Sequence, residues 1–175
     1  MNDRDQRLKE VAGIAAALEK QTGCPARLMI AQWALESEWG EKPVGHAGYF
    51  GIKRAARHAK FCIVTTHEVF TSAQVSAWNR QHSDRPARAI KTLPDGRLRV
   101  ELDDEFADYD SLEASCADYA WLITHGEPYQ QYQQDKSLDT LINCVAKTYA
   151  TAPQYAEMAE EIAAQSNVAA ALAEA

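Results

Sequence analysis

The chain has 175 residues, and its 18 Lys and Arg against 25 Asp and Glu leave a formal net charge of −7. That length can bury a core unaided, and 46% hydrophobic with 25% charged residues excludes a disordered, collagen-like or disulfide-dense chain. An acidic balance argues against nucleic acid held by phosphate neutralisation and against anionic lipid, so neither nucleic acid nor membrane insertion is expected.

In chain order, residues 5–20 place Leu8, Val11, Ile14, Ala15 and Leu18 at helical spacing, and Gly23 ends that helix. Pro25 opens a second helix where a missing amide proton costs nothing; it is predicted to run to about Trp39, with Gly40 as its stop. Residues 41–60 read as irregular. The β-branched run 61–66 predicts a strand, and a second is predicted at 98–102 after the turn signal Pro94-Asp95-Gly96. The stretch 80–99 is basic but interrupted by Asp84, Pro86, Pro94 and Asp95, and reads as a solvated loop or hairpin. Helices are predicted near 111–124, 136–148 and 153–173, with Pro153 at a helix start. The expected fold class is α+β, mainly α: one domain over 1–175, a helical body with a small β-lobe at about 60–105.

The amino terminus is hydrophilic, no run approaches the ~18 apolar residues of a membrane span, and no secretory signal is read. Cys24, Cys62, Cys116 and Cys144 are widely spaced, which leaves open four buried thiols or one or two disulfides. His46, His58, His67, His82 and His125 show no ligand spacing, so neither metal nor cofactor is expected.

The chemistry-bearing segment is Ala31-Gln32-Trp33-Ala34-Leu35-Glu36-Ser37-Glu38-Trp39-Gly40. On a helix, Met29 and Gln32 lie within roughly 40° of Glu36, and Trp33 and Trp39 within roughly 60°. Glu36 thus projects from an aromatic-rich face, while Glu38 shares the other side with Arg27, Ala31 and Ala34. A carboxylate in apolar surroundings tends to a raised pKa and can stay protonated near neutrality, the state that general acid catalysis at a glycosidic oxygen requires. The plain alternative for Glu36 is an internally paired carboxylate, and for Glu38 a solvated or Arg27-paired one.

The string from Pro25 to Gly40 resembles the catalytic helix of the bacterial glucosaminidase family, glycoside hydrolase family 73, which includes flagellar peptidoglycan hydrolases and autolysins. The resemblance continues in order through Tyr49-Phe50-Gly51-Ile52-Lys53, then Thr65-Thr66-His67-Glu68, similar to the family's Thr-Thr-x-Glu strand. It goes on through Phe106-Ala107-Asp108-Tyr109-Asp110-Ser111, similar to the start of a family helix, and the block from Tyr149 to Ala156.

The resemblance implies a lysozyme-like fold with a cleft between helical body and β-lobe, and hydrolysis of β-1,4 links in peptidoglycan glycan strands. By resemblance Glu36 is the general acid, Glu68 the base or water activator, and Tyr149 a stabiliser of the developing oxocarbenium or of the acetamido group. Trp39, Tyr49, Phe50 and Tyr155 are the substrate-binding candidates. Glu68 could instead be an exposed strand residue, Tyr149 a core residue, and the aromatics a filling of the lobe junction. The chain departs from the family pattern at Glu38, where Gly is usual, at Gly48 for Asn, at Ala152 for Asp, and in a long stretch over 71–97.

Competing readings are a lysozyme-like muramidase or lytic transglycosylase of phage origin, and a non-catalytic glycan-binding module. A wall hydrolase without a read export signal suggests delivery to the periplasm by a secretion machine such as type VI, or by phage lysis. An antibacterial effector of that kind implies an immunity protein that blocks the cleft.

Overall fold

The computed structural model describes residues 2–149 and 154–175. It resolves into two compact units, one formed by residues 1–52 with 108–175, the other by 53–107. Among the described residues the first is helical and the second carries the only sheet, so the mainly α, α+β class expected from the sequence holds.

The helical unit begins with α1 (Asp3–Thr22), capped by the Asn2 side chain, which accepts from the Asp5 amide at 2.8 Å. Gly23 ends it in the left-handed conformation, φ 78°, as its sequence position predicts. Two residues on, Pro25 caps α2 (Ala26–Glu36), and the Glu19 carboxylate of α1 accepts from the Ala26 amide at 3.2 Å. Helix α2 is buried nearly all round: Leu28, Met29, Ile30, Ala31, Gln32, Trp33 and Ala34 are all inaccessible or nearly so. It is the central helix of its unit, packed against α1, α4 (Leu112–His125), α7 (Tyr155–Ala163) and α8 (Ser166–Ala173), which explains its lack of a polar face.

Helix α2 stops three residues earlier than predicted, and the reason lies in Ser37. Its hydroxyl donates to the Trp33 carbonyl at 2.6 Å and accepts from the Gly40 amide at 3.0 Å, folding the chain back through left-handed backbone at Glu38, Trp39 and Gly40 (φ 50°, 62° and 79°). A β-carbon on Gly40 would meet the Trp33 ring at 2.5 Å, so this turn admits only glycine there. Trp39 therefore leaves the helix, and its predicted place on the face of Glu36 does not hold.

Helix α4 (Leu112–His125) starts where residues 106–111 suggested, with Ser111 accepting from the Ala114 amide at 3.2 Å. A 3-10 turn at Glu127–Tyr129 and α5 (Gln130–Asp135) follow, neither legible beforehand. Then come α6 (Leu138–Tyr149), α7 (Tyr155–Ala163) and α8 (Ser166–Ala173). The single helix predicted over 153–173 is two helices broken at residues 164–165, and its predicted start at Pro153 lies outside the described residues.

The other unit is a three-stranded antiparallel sheet in the order β1-β3-β2, from β1 (Phe61–Phe70), β2 (Arg88–Thr92) and β3 (Leu98–Ala107). Both predicted strands exist and are longer than read. The stretch between them holds α3 (Ser72–Gln81), which opens with a reciprocal cap between Thr71 and Gln74 and packs on β1. It also holds the exposed, bulged strand β2. Two of the basic residues of 80–99 pair with the acidic strand β3 beside them. Arg88 pairs with Glu101 and Asp103 at 2.8 and 3.0 Å, and Arg85 pairs with Glu105. No disulfide links Cys24, Cys62, Cys116 and Cys144 to one another.

Candidate active site

Glu36 occupies the last position of α2, where the apolar helix gives way to the Ser37 turn. Its side chain is half-buried, and burial lifts its carboxyl above the usual carboxylate range. The Tyr155 hydroxyl of α7 donates to Glu36 Oε1 at 2.6 Å, which pulls in the opposite direction without cancelling the effect of burial. Tyr155 is itself pushed far above an ordinary phenol, first by burial and then by Glu36. It is thus a neutral donor throughout the range in which Glu36 titrates.

Two more groups stand behind this pair. Gln32, one turn before Glu36, donates through Nε2 to the Tyr155 hydroxyl at 3.1 Å, and its Oε1 accepts from the Tyr119 hydroxyl of α4. Sequence reading placed Gln32 near Glu36 but gave it no role, and it did not find Tyr119. The one available signal was an amide inside an otherwise apolar helix, since a buried amide must find partners.

The loop after α2 reaches Glu36 through Gly51. Asp108 Oδ1 accepts from the amides of His46, Ala47 and Tyr109 at 2.8, 3.0 and 2.9 Å, stapling residues 45–48 to the start of α4. Burial opposes ionisation of Asp108, but these amides hold its carboxyl below the usual range. The Tyr49 amide donates to the Ser115 hydroxyl at 3.2 Å, and the Phe50 ring stacks on Tyr119 with centroids 4.3 Å apart. Gly51 follows in the left-handed region, φ 57°, where a β-carbon would lie 3.6 Å from Glu36 Oε2.

The predicted site residues therefore separate. Glu36 and Tyr155 are in direct contact. Phe50 is 1% exposed and supports the loop from within, so its predicted place on a sugar-facing surface is corrected: the ring has no free face to offer. Tyr49 is half-buried. Trp39 packs edge-on to Trp33 and lies beneath the Arg4 guanidinium, 3.6 Å from the ring centre. Glu38 is exposed and pairs with Lys42 at 2.8 Å, whereas Arg27 donates to the Ala163 carbonyl. Tyr149 ends α6, and its side chain lies outside the described residues.

Glu68 belongs to the sheet unit, on the β1 face that pairs with Val100, Leu102 and Asp104 of β3. Lys53 Nζ lies 2.7 Å from Asp104 Oδ2 and 3.7 Å from Glu68 Oε1, so one ammonium serves two carboxylates. Neither Lys53 nor Asp104 was singled out from sequence. Among the described residues no cluster of His, Cys, Asp and Glu has the arrangement of a metal site.

The family model described as mannosyl-glycoprotein endo-beta-N-acetylglucosaminidase matches residues 12–168. The chain belongs to the glucosaminidase family. This glucosaminidase-family chain is 27% identical over 168 residues to the peptidoglycan hydrolase FlgJ of Pseudomonas aeruginosa, a match over 92% of the chain and 36% of FlgJ. It thus spans about a third of the length of that curated relative.

Its fold is similar to the catalytic domain of the autolysin Auto of Listeria monocytogenes, with TM-score 0.63 and 22% identity over 98% of this chain and 89% of that one. It is likewise similar to a mutant peptidoglycan hydrolase of Sphingomonas sp. A1, with TM-score 0.66 and 20% identity over 98% and 99%. A third likeness is to the glycoside hydrolase domain of Salmonella typhimurium FlgJ, with TM-score 0.60 and 22% identity over 99% and 92%. These structures bear on the fold of the glucosaminidase-family chain, which has the lysozyme-like plan expected from its motifs.

Proposed function

We propose that the chain hydrolyses β-1,4 glycosidic links in bacterial peptidoglycan, on the reducing side of N-acetylglucosamine, with Glu36 as general acid. The observation that carries this reading is the state of Glu36: a half-buried carboxyl with a raised pKa, tied to a neutral phenol on one oxygen and neighboured by a glycine on the other. Such a group keeps its proton to higher pH than a solvated carboxylate and can deliver it to a leaving glycosidic oxygen. The similarity to peptidoglycan hydrolases in both sequence and fold supports the choice of polymer.

In this proposal Glu68 is the base that activates water, and Tyr149 steadies the charge that develops on the sugar. Tyr49 and Trp39 remain the candidates for sugar contact, and Tyr155 is assigned to the acid it touches. The reaction needs no metal, because both proton transfers are carried by carboxyl groups. The substrate sets the place of action, the cell wall. The effector reading adds a testable partner, an immunity protein that binds this chain and suppresses its lysis of sacculi.

The test is mass spectrometry of purified sacculi digested with the chain and with Glu36→Gln. New reducing N-acetylglucosamine ends, absent with Glu36→Gln, are expected. Reducing muramic ends would make the chain a muramidase and anhydro-muramic ends a lytic transglycosylase. Binding without products would make it a glycan-binding module.

A further inference from the structure

Behind Glu36 the helical unit holds an ordered line of polar groups. Tyr119 and Gln32 are both fully inaccessible, in a core otherwise made of side chains such as Met29, Trp33 and Phe50. Tyr119 donates to Gln32 Oε1, Gln32 Nε2 donates to the Tyr155 hydroxyl at 3.1 Å, and Tyr155 donates to Glu36 Oε1 at 2.6 Å. Every hydrogen in this line points toward the carboxyl.

The amide is the member that sets this direction. Its oxygen can only accept and its nitrogen can only donate, whereas a phenol hydroxyl can do either. With the Gln32 nitrogen occupying a lone pair of the Tyr155 oxygen, the Tyr155 hydrogen is left for Glu36. A protonated carboxyl has one hydroxyl oxygen and one carbonyl oxygen. If Oε1 accepts from Tyr155, the proton is carried on Oε2. That oxygen lies toward Gly51, where a β-carbon would come within 3.6 Å of it and glycine leaves that space empty. With the amide turned over, the Tyr155 hydrogen would go to Gln32, and the Glu36 proton would sit on Oε1, against Tyr155, where a leaving group cannot take it.

We propose that Gln32 is a positioning residue, which fixes Tyr155 as a donor to Glu36 Oε1 and thereby assigns the catalytic proton to Oε2. This inference rests on the reading of Glu36 as the general acid. Among the described residues, the titratable groups that act on this pair are phenols: Tyr155 of α7 on Glu36, and Tyr129 of the 3-10 turn on Tyr155.

The test uses the full chain with Gln32→Glu, Gln32→Leu and Tyr119→Phe, and with Tyr155→Phe as background. Once ionised, Gln32→Glu offers two acceptors and takes the Tyr155 hydrogen. It is expected to lower kcat on soluble glycan strands about tenfold with KM within about twofold, and to move the basic limb of the pH profile upward. Gln32→Leu is expected to lower kcat in the wild-type background and to have no further effect in Tyr155→Phe, since it acts through that hydroxyl. Carbon-13 carboxyl NMR titration of Glu36 reads the same effect without activity. Tyr119→Phe, which keeps the ring stacked on Phe50, should raise its midpoint by less than Gln32→Glu does.

An unmoved midpoint in all three variants, or equal losses from Gln32→Leu in both backgrounds, overturns the proposal. Glu36→Gln separates the two levels. If it stays active, the assignment of Glu36 as the acid fails. If it is inactive while the Gln32 variants behave as wild type, only the relay fails.

Discussion

The Tyr155 hydroxyl donates to Glu36 Oε1 at 2.6 Å across 119 residues of chain, joining the end of the central helix to α7. Burial and this bond act on Glu36 in opposite senses, and burial prevails. The carboxyl is consequently harder to ionise in the folded protein than in the unfolded chain. Its contribution to stability is complete below the ordinary value of about 4.5 and is lost as pH rises through the raised folded value. Glu36→Gln is therefore expected to melt at a higher temperature than wild type at pH 8, with the difference closing at pH 4. The same substitution should reduce wall hydrolysis by about 10²- to 10⁴-fold, the range for loss of a general acid. Equal melting at both pH values would show that Glu36 is not held against its charge.

Gly51 supplies a second prediction. Gly51→Ala places a β-carbon in left-handed backbone and 3.6 Å from Glu36 Oε2. The backbone cost is about 1 kcal/mol, or roughly 2–4 °C in melting temperature for a chain of this size. The methyl group also narrows access to the oxygen assigned to proton delivery. The loss in kcat should thus exceed anything that a shift of this size in folded fraction can produce, as steady-state kinetics well below the melting temperature would reveal.

Asp108 holds the loop that carries Gly51. Asp108→Ala removes the acceptor of three backbone amides and is expected to cost about 1–2 kcal/mol, toward the low side because part of this cluster is solvated. The Asp108 carboxyl is held below its ordinary value of 3.8. Its contribution is present above that value and lost as pH falls through the lower folded one. Urea denaturation should therefore show the full deficit at pH 7 and a smaller one near pH 3.

Lys53 couples two carboxylates of the sheet unit. Asp104 is 8% exposed, so Lys53→Met leaves a nearly buried charge without its ammonium. A loss of about 1–2 kcal/mol is expected, between the values for exposed and fully buried pairs because Lys53 itself remains accessible. Lys53→Met combined with Asp104→Asn should recover most of that stability. A double-mutant cycle by thermal denaturation measures the coupling, and additivity of the two changes would show that the pair contributes nothing.

The long-period features were legible in advance. Helix α1, the opening of α2 at Pro25, the turn at 94–96, the two long strands and the start of α4 at Ser111 all follow from local chemistry: caps, glycine stops and β-branched runs. Helix α3 and strand β2 did not stand out, because neither buries a side chain and so neither carries a hydrophobic period. The Thr71-x-x-Gln74 cap was the one local signal that marked α3. The end of α2 was misjudged because Gly40 looked like the stop, whereas the Ser37 hydroxyl had already turned the chain.

For the site, sequence alone determined that Glu36 lies on an aromatic-rich face near the end of an apolar helix, since that depends only on residue types one turn apart. It could not determine which groups touch that carboxyl. Tyr119 and Tyr155 lie 87 and 123 residues from Gln32, and no periodicity relates them. Only the packing of α2 against α4 and α7 decided that a tyrosine, an amide and a second tyrosine would line up behind Glu36, because a buried polar group takes its partner from whichever element the fold brings within hydrogen-bond reach.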